Sequence, residues 1–237
     1  MTTIVPIPAV AFVGKQNSGK TTLLVKLIAE LTARGMRVGT VKHHSHAGFE
    51  FDIEGKDSWR HRQAGSRFAV IAAPDQIASV QLLDASVEVP LERIIAHMAD
   101  TAPELDVVLV EGYRQSGLPT IEIFRAANLR DIDRHLGGEG NHIIAVVTDI
   151  PRVVEEAASF GGDDFADGNL VVDSLTAADN LAVDSFIADS VIPTTNSLAG
   201  DGITPKDSLA GGNGIPAFGL EDIAALADFV QSAIIDR

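Results

Sequence analysis

The chain has 237 residues, a formal net charge of −15 and no cysteine. The length suits one α/β domain with an added segment, and the lack of cysteine excludes disulfides, thiolate metal sites and cysteine nucleophiles. The negative charge argues against a nucleic-acid partner, which would need a basic face. Because the N-terminus lacks a basic region and no apolar run approaches the length of a membrane span, the sequence predicts a cytoplasmic protein with no membrane partner.

The first predicted element is an apolar strand at 7–13, and a helical pattern of leucines begins at Leu23. Between them lies the segment GKQNSGKT at 14–21, the phosphate-binding P-loop in the strand–loop–helix context that this motif requires. Its glycines let the backbone curl, so that successive N–H groups and a helix N-terminus point at phosphate oxygens. The loop residues predicted to bind a nucleotide are Gly14, Lys15, Asn17, Ser18, Gly19, Lys20 and Thr21.

Individual side chains of the P-loop have distinct expected roles. Lys20 is predicted to reach the β- and γ-phosphates as a catalytic group, and the Thr21 hydroxyl is predicted to ligate Mg²⁺. Two interpretations of Lys15 stay open. It either reaches the nucleotide of a partner subunit in a dimer or adds positive potential as an exposed lysine.

A second buried strand is predicted at 37–42, after a helix end at Gly35, and a polar loop follows at 43–57. Such a loop covers the carboxyl end of its strand, the edge where open α/β sheets bind ligands. Asp52 and Asp57 are therefore predicted to contact the Mg²⁺ shell, and Asp52 is also a candidate catalytic residue. Capping the next helix is the alternative role for Asp57.

Three histidines, His43, His44 and His46, fall in the same loop. Imidazoles clustered over a few residues are able to converge on a transition metal. No cysteine and no spaced carboxylate accompanies them, so polar loop contacts and contacts near the phosphates are the alternatives to metal binding.

Beyond the polar loop the sequence predicts a short helix capped by Asp57 or Ser58, a hairpin of strands at 68–73 and 77–83, and a helix from Pro90. A near-continuous apolar run at 105–110 then ends in Glu111, as in a buried parallel strand with a carboxylate at its tip. Glu111 is predicted to hold Mg²⁺ through water or to orient the attacking water. Its alternative role is that of a strand-end acid facing a helix or solvent.

The later strands are predicted at 120–125, where polar and apolar residues alternate, and at 142–147. Asp149 follows the second of them and is predicted to accept hydrogen bonds from guanine N1–H and N2–H₂, a donor pair that adenine lacks. A turn-forming role before Pro151 is the alternative. A short strand from 214 and a helix from Leu220 to about Ile235 close the chain. Strands alternating with helices predict a mostly parallel sheet covered by helices on both faces.

One segment departs from this alternation. Between Val153 and Pro205 the sequence has ten acidic residues and neither lysine nor arginine, so much of the negative charge belongs to this part of the chain. We predict a nucleotide-binding domain at 1–150, an acidic and partly flexible insertion at 151–213, and a strand and helix at 214–237 that complete the domain. Partner docking and cation binding are the alternatives for the insertion.

Several motifs together resemble the molybdopterin-guanine dinucleotide biosynthesis adapter (MobB) family. The resemblance covers residues 7–150 and 214–236, and the motifs that carry it are GKQNSGKTT at 14–22, GTVKHH at 39–44, DIEGKDSWRHRQAG at 52–65, VEGYR at 110–114, PTIEIFR at 119–125, AVVTD at 145–149 and IPAFGLEDIAALADF at 215–229. The P-loop alone is generic, whereas the later motifs are specific. Thr120, which stands where the family often has lysine, and the long acidic insertion are departures from the family pattern.

The resemblance implies a P-loop fold with extra strands that help form a homodimer. It implies a GTP-binding protein with weak, Mg²⁺-dependent GTPase activity that assists a molybdenum cofactor guanylyltransferase of the MobA type in joining GMP to molybdopterin. By position it adds Thr22, Arg114 and Arg125 to the nucleotide-binding residues, and it places Asp52, Asp57 and Glu111 around the same pocket. The metal ligands expected are Thr21, Asp52 and Glu111.

Three other functions remain as alternatives. The histidines of the polar loop suit a metallochaperone-type GTPase that delivers a metal ion to an enzyme. The P-loop fold also suits an ATP-dependent small-molecule kinase, although no acid dedicated to activating an acceptor stands out. A scaffold that binds GTP and hardly hydrolyses it is the last.

Overall fold

The computed structural model describes residues 6–44, 49–50, 52–83, 89–127, 142–151, 154 and 215–236. His46 and, apart from Pro151 and Val154, the predicted insertion at 151–213 lie outside these residues. The chain forms two compact units, Met1–Lys42 with Leu91–Arg237, and His43–Pro90. No helix among the described residues has both the length and the apolar character needed to cross a membrane.

The secondary structure follows the predicted alternation of strands and helices. In chain order the elements are β1 (Ala9–Val13), α1 (Lys20–Ala33), β2 (Val38–Lys42), α2 (Asp57–Gln63), β3 (Phe68–Ala72), β4 (Ile77–Gln81), α3 (Leu91–Thr101), β5 (Val107–Glu111), β6 (Pro119–Phe124), β7 (His142–Thr148), β8 (Ala217–Gly219) and α4 (Ile223–Val230). A π-helical turn over Gln231–Ile235 extends α4.

The first unit is built on a six-stranded sheet in the order β2-β5-β1-β6-β7-β8. Every neighbouring pair in it is parallel. Leucines of α1 and apolar residues of α4 pack on one face of the sheet, and Leu91 and Ile95 of α3 pack on the other. Parallel strands need both faces covered in this way, so the predicted fold class is confirmed.

Strand β6 is buried more completely than its alternating sequence predicts. Five of its six residues are buried, including Thr120 at 2% and Glu122 at 3% exposure. The strand predicted at 120–125 is present, and its polar side chains are buried because β6 lies inside the sheet, between β1 and β7. A strand with a neighbour on each side and packing on both faces has no solvent-facing row of side chains.

The carboxyl ends of the parallel strands meet at one edge of the sheet. At this edge β1 runs into the P-loop, β5 ends at Glu111, and β6 and β7 end just before Arg125 and Asp149. Strand β8 runs into the turn that precedes α4, where Asp222 Oδ2 accepts a hydrogen bond from the Gly219 N–H at 2.8 Å. This turn explains why the last helix begins three residues later than predicted.

The second unit contains α2 and the antiparallel hairpin of β3 and β4, with Phe68 opposite Gln81 and Ala72 opposite Ile77. The predicted hairpin is confirmed. The predicted side-chain cap of α2 was wrong, because the helix follows Lys56 and no side-chain hydrogen bond caps it. The Ser58 hydroxyl instead donates to Asp52 Oδ1 at 2.9 Å.

Candidate nucleotide-binding site

The P-loop joins the central strand β1 to α1, with its backbone pressed against β6. A Cβ placed on Gly14 would lie 2.2 Å from the Ile123 carbonyl oxygen and 2.8 Å from Ser18 Oγ. Asn17 and Gly19 both have left-handed backbones, with φ of 64° and 88°, which turn the loop into the first residue of α1. The N–H groups of a first helical turn have no partner within the helix, so the loop presents a ready-made anion site.

Lys20 lies over this loop. Its Nζ donates to the carbonyl oxygens of Gly14 at 2.8 Å and Lys15 at 2.5 Å, with Ser18 Oγ at 3.4 Å. Burial lowers the pKa of Lys20, and the neighbouring cations Arg114 and Lys42 lower it further, whereas Glu111 opposes the shift. A bound anion would offset this concentration of positive charge.

Thr21 and Glu111 come together beside the loop. Thr21 Oγ1 donates to Glu111 Oε1 at 2.9 Å, and Lys42 Nζ lies 3.5 Å from the same carboxylate oxygen. Glu111 is largely buried, with 15% of its side chain exposed. A hydroxyl and a carboxylate are hard oxygen ligands of the kind that Mg²⁺ prefers, in sites that it completes with phosphate oxygens and water. The donor set therefore fits a magnesium ion.

Arg114 follows an unusual turn at the end of β5. Gly112 and Tyr113 both have positive φ, of 100° and 55°, and the side chain after them donates from Arg114 Nη1 to Glu122 Oε1 at 3.2 Å. Glu122 Oε2 is buried without a hydrogen-bond partner. Burial raises the pKa of Glu122, and Arg114 opposes the rise.

Glu122 is not among the site residues predicted from the sequence. A signal was present, because this acid has an isoleucine on each side within a strand, and a charged group is rarely buried unless it is paired. The missing information was the position of β6 inside the sheet.

Arg125 and Asp149 join the ends of β6 and β7. Arg125 Nε donates to Asp149 Oδ2 at 3.2 Å, and the Ala126 N–H donates to Asp149 Oδ1 at 2.7 Å. Both oxygens of the predicted guanine-binding carboxylate are therefore engaged by the protein itself.

An open cavity of about 360 Å³ adjoins the P-loop. Its lining includes Gly19, Thr22, Lys26, Arg125, Leu220 and Glu221. Thr22 and Arg125 were predicted from the sequence as nucleotide-binding residues, whereas Lys26, Leu220 and Glu221 were not. Leu220 and Glu221 come from the far end of the chain, and no local motif identifies them.

Asp52 and Asp57 belong to the second unit. Asp52 Oδ1 accepts from the Ile53 N–H and the Ser58 hydroxyl, both at 2.9 Å, and its Oδ2 lies 3.5 Å from Arg62 Nε. Asp57 is the first residue of α2. The predicted roles of both acids at the metal stay predictions.

Of the three polar-loop histidines, the structure describes His43 and His44. Within the described part of the chain, which leaves out His46, no group of three or more histidine, aspartate or glutamate side chains is arranged to hold a metal ion.

The chain is similar to proteins of one family, both in sequence and among solved structures. The family model described as molybdopterin guanine dinucleotide synthesis protein B, MobB, matches residues 9–149. The molybdopterin-guanine dinucleotide biosynthesis adapter protein of Escherichia coli is 38% identical over 156 residues, which span 64% of this chain and 83% of that protein. The adapter of Haemophilus influenzae is 36% identical over 149 residues, 63% of this chain and 79% of that one. Among solved structures, Bacillus subtilis MobB aligns with a TM-score of 0.49 and 26% identity, over 60% of this chain and 80% of that one.

Proposed function

The chain belongs to the molybdopterin guanine dinucleotide synthesis protein B family, and we propose that it acts in molybdopterin-guanine dinucleotide biosynthesis as a GTP-binding adapter with weak GTPase activity. The observation that carries the nucleotide part of this proposal is the P-loop with the Thr21–Glu111 hydrogen bond beside it. At this edge of the sheet an anion-binding backbone, the amine of Lys20 and two oxygen ligands suited to Mg²⁺ lie close together. The adapter role rests on the relatives that bear this name.

The residues of the first unit divide the work of binding the triphosphate. The loop N–H groups bind phosphate oxygens, and Lys20 exchanges the Gly14 and Lys15 carbonyls for the β- and γ-phosphates. Thr21 and Glu111 would hold a magnesium ion, and such an ion would neutralise charge on the phosphates. Arg114, held near Lys20 by Glu122, adds a further positive charge.

Hydrolysis would depend on few groups. Glu111 would orient the attacking water in addition to holding the metal, and Lys20 would stabilise the charge that develops on the phosphates. Such a site suits slow turnover, in which the nucleotide mainly controls the state of the adapter.

The second unit is the proposed dimer contact. Its hairpin exposes several apolar side chains, namely Phe68, Val70, Ile71 and Ile77, each more than half exposed. Monomeric proteins rarely expose apolar side chains in such groups, and exposed strands readily pair with another chain. In this dimer Lys15 would contribute to the nucleotide site of the partner.

The functional partner that we propose is a molybdenum cofactor guanylyltransferase of the MobA type, in the cytoplasm. The test is synthesis of the guanine dinucleotide by the purified guanylyltransferase, with molybdopterin and Mg²⁺-GTP, in the presence of the parent protein or of Lys20→Ala. The parent is expected to raise the yield and Lys20→Ala is not. Equal yields with both proteins, or no effect of either, would contradict the adapter proposal.

A further inference from the structure

The cavity beside the P-loop shares two of its lining residues with the predicted phosphate site. Gly19 and Thr22 belong to the loop and to the first turn of α1, and both also line the cavity. Lys26 lines it one helical turn further along α1. The cavity therefore adjoins the phosphate site, within reach of a nucleoside joined to phosphates in the loop. The cavity is open to solvent, so a nucleoside would occupy it with one side exposed.

The far wall of the cavity comes from the turn between β8 and α4. The Asp222 carboxylate fixes this turn by accepting from the Gly219 N–H at 2.8 Å. Leu220 packs partly against the core and gives the cavity an apolar side chain suited to the face of a base. Glu221 Oε2 accepts from Lys26 Nζ at 2.5 Å, which ties the turn to α1.

Two carboxylates at this edge are candidates to recognise a base, and their surroundings differ. Glu221 has 82% of its side chain exposed, and among the described residues it pairs with the side chain of Lys26. Exposed ion pairs add little stability, so a ligand displaces this one easily. Asp149 is 33% exposed and holds both Arg125 and the backbone N–H of Ala126. A base would have to break both bonds to use Asp149.

We propose that this cavity is the nucleoside subsite of the nucleotide site and that Glu221 selects guanine, with the base lying on Leu220. This assignment rests on the proposed binding of GTP and adds the residues that recognise the base. Guanine offers N1–H and the 2-amino group as adjacent donors, and the two oxygens of a carboxylate accept both. Asp149 then has a positioning role, because it holds Arg125 and the end of β6 in place.

The experiment compares the affinities of the Mg²⁺ complexes of GTP, ITP and ATP by calorimetry. ITP lacks only the 2-amino group of GTP, so the GTP-to-ITP ratio of affinities reports recognition of that group. We expect Glu221→Gln to lower the affinity for GTP by about 10-fold or more. The ratio of the GTP and ITP affinities should then be close to one. Leu220→Ala is expected to lower the affinities for GTP and ITP by the same factor.

Two controls separate this role from a structural one. Glu30→Gln removes the corresponding carboxylate from another ion pair of α1, that with Arg34, and is expected to bind all three nucleotides like the parent. Asp149→Asn is expected to lower the affinities for GTP and ITP by the same factor, so that their ratio stays as in the parent. Thermal unfolding of each variant reports whether the fold is retained.

An unchanged ratio in Glu221→Gln, or a ratio lost only in Asp149→Asn, would overturn the assignment of Glu221 and leave GTP binding intact. Failure of the parent to bind GTP would overturn the proposed function and this inference together. The two failures are thus distinguishable in one set of titrations.

Discussion

Thr21 and Glu111, 90 residues apart in the sequence, meet in a hydrogen bond of 2.9 Å between Thr21 Oγ1 and Glu111 Oε1. The contact exists because β5 is the parallel neighbour of β1, so the acid at the tip of one strand comes beside the helix that follows the other. It brings together the two oxygen ligands proposed for magnesium and orients them before any nucleotide binds.

Glu111→Gln should separate nucleotide binding from its dependence on magnesium. The amide keeps the size of the side chain but removes the negative charge that favours a divalent cation. We expect Mg²⁺ to enhance GTP binding much less than in the parent, and single-turnover hydrolysis to fall by about 10²-fold. Glu92→Gln, an exposed position in the first turn of α3, is the control and should behave like the parent. Retained magnesium dependence in Glu111→Gln would argue against its metal role.

Gly14→Ala should disrupt the loop by steric overlap. The added Cβ would lie 2.2 Å from a backbone oxygen of β6, which cannot move aside without disturbing the sheet, so we expect a loss of about 3 kcal/mol or more in the free energy of unfolding. GTP binding should be lost as well. Gly35→Ala is the control, because Gly35 also has a left-handed backbone but nothing lies within 4 Å of its added Cβ. It should lose about 1 kcal/mol and keep GTP binding, as measured by urea unfolding and calorimetry.

Glu122→Gln should change how stability depends on pH. Burial raises the pKa of Glu122 in the folded state above its unfolded value of about 4.3, so the folded protein holds this proton more tightly. The protonated Glu122 therefore contributes to the free energy of unfolding in full below the unfolded pKa. This contribution is lost as the pH rises through the folded pKa. Relative to Glu122→Gln, the parent is expected to become less stable over that interval. Urea unfolding of both proteins at several pH values measures this difference, and a difference that does not vary with pH would contradict the shift.

Ile77→Glu should weaken the proposed homodimer. Ile77 is 76% exposed on the hairpin, so the substitution should change the stability of the fold by less than about 0.5 kcal/mol while placing a charge in the apolar contact. Sedimentation velocity is expected to show a dimer for the parent and a monomer for the variant. Val25→Glu, at a position 62% exposed on α1, is the matched control and should stay dimeric. A monomeric parent, or a dimeric Ile77→Glu, would exclude this contact.

The sequence is sufficient to predict the elements whose signals are local. The P-loop, the apolar run before Glu111 and the hairpin each have a contiguous pattern, and the predicted fold class follows from their alternation. The features that were wrong or missed depend on strand order. Nothing near Glu122 in the sequence says that β6 has neighbours on both sides, and the turn at Leu220 reaches the P-loop only because β8 pairs with β7. The prediction for the cap of α2 was wrong for a different reason, because the helix already begins at Asp57 and both predicted capping residues lie inside its first turn.

The central claim is that this chain binds GTP through Lys20 in the presence of magnesium. Calorimetric titration with GTP and ATP, with and without Mg²⁺, on the parent and on Lys20→Ala tests it most directly. We expect GTP to bind the parent about 10-fold or more tighter than ATP, to bind more tightly with Mg²⁺, and to show no measurable binding to Lys20→Ala. Equal or tighter binding of ATP, or parent-like binding of GTP to Lys20→Ala, would contradict the claim.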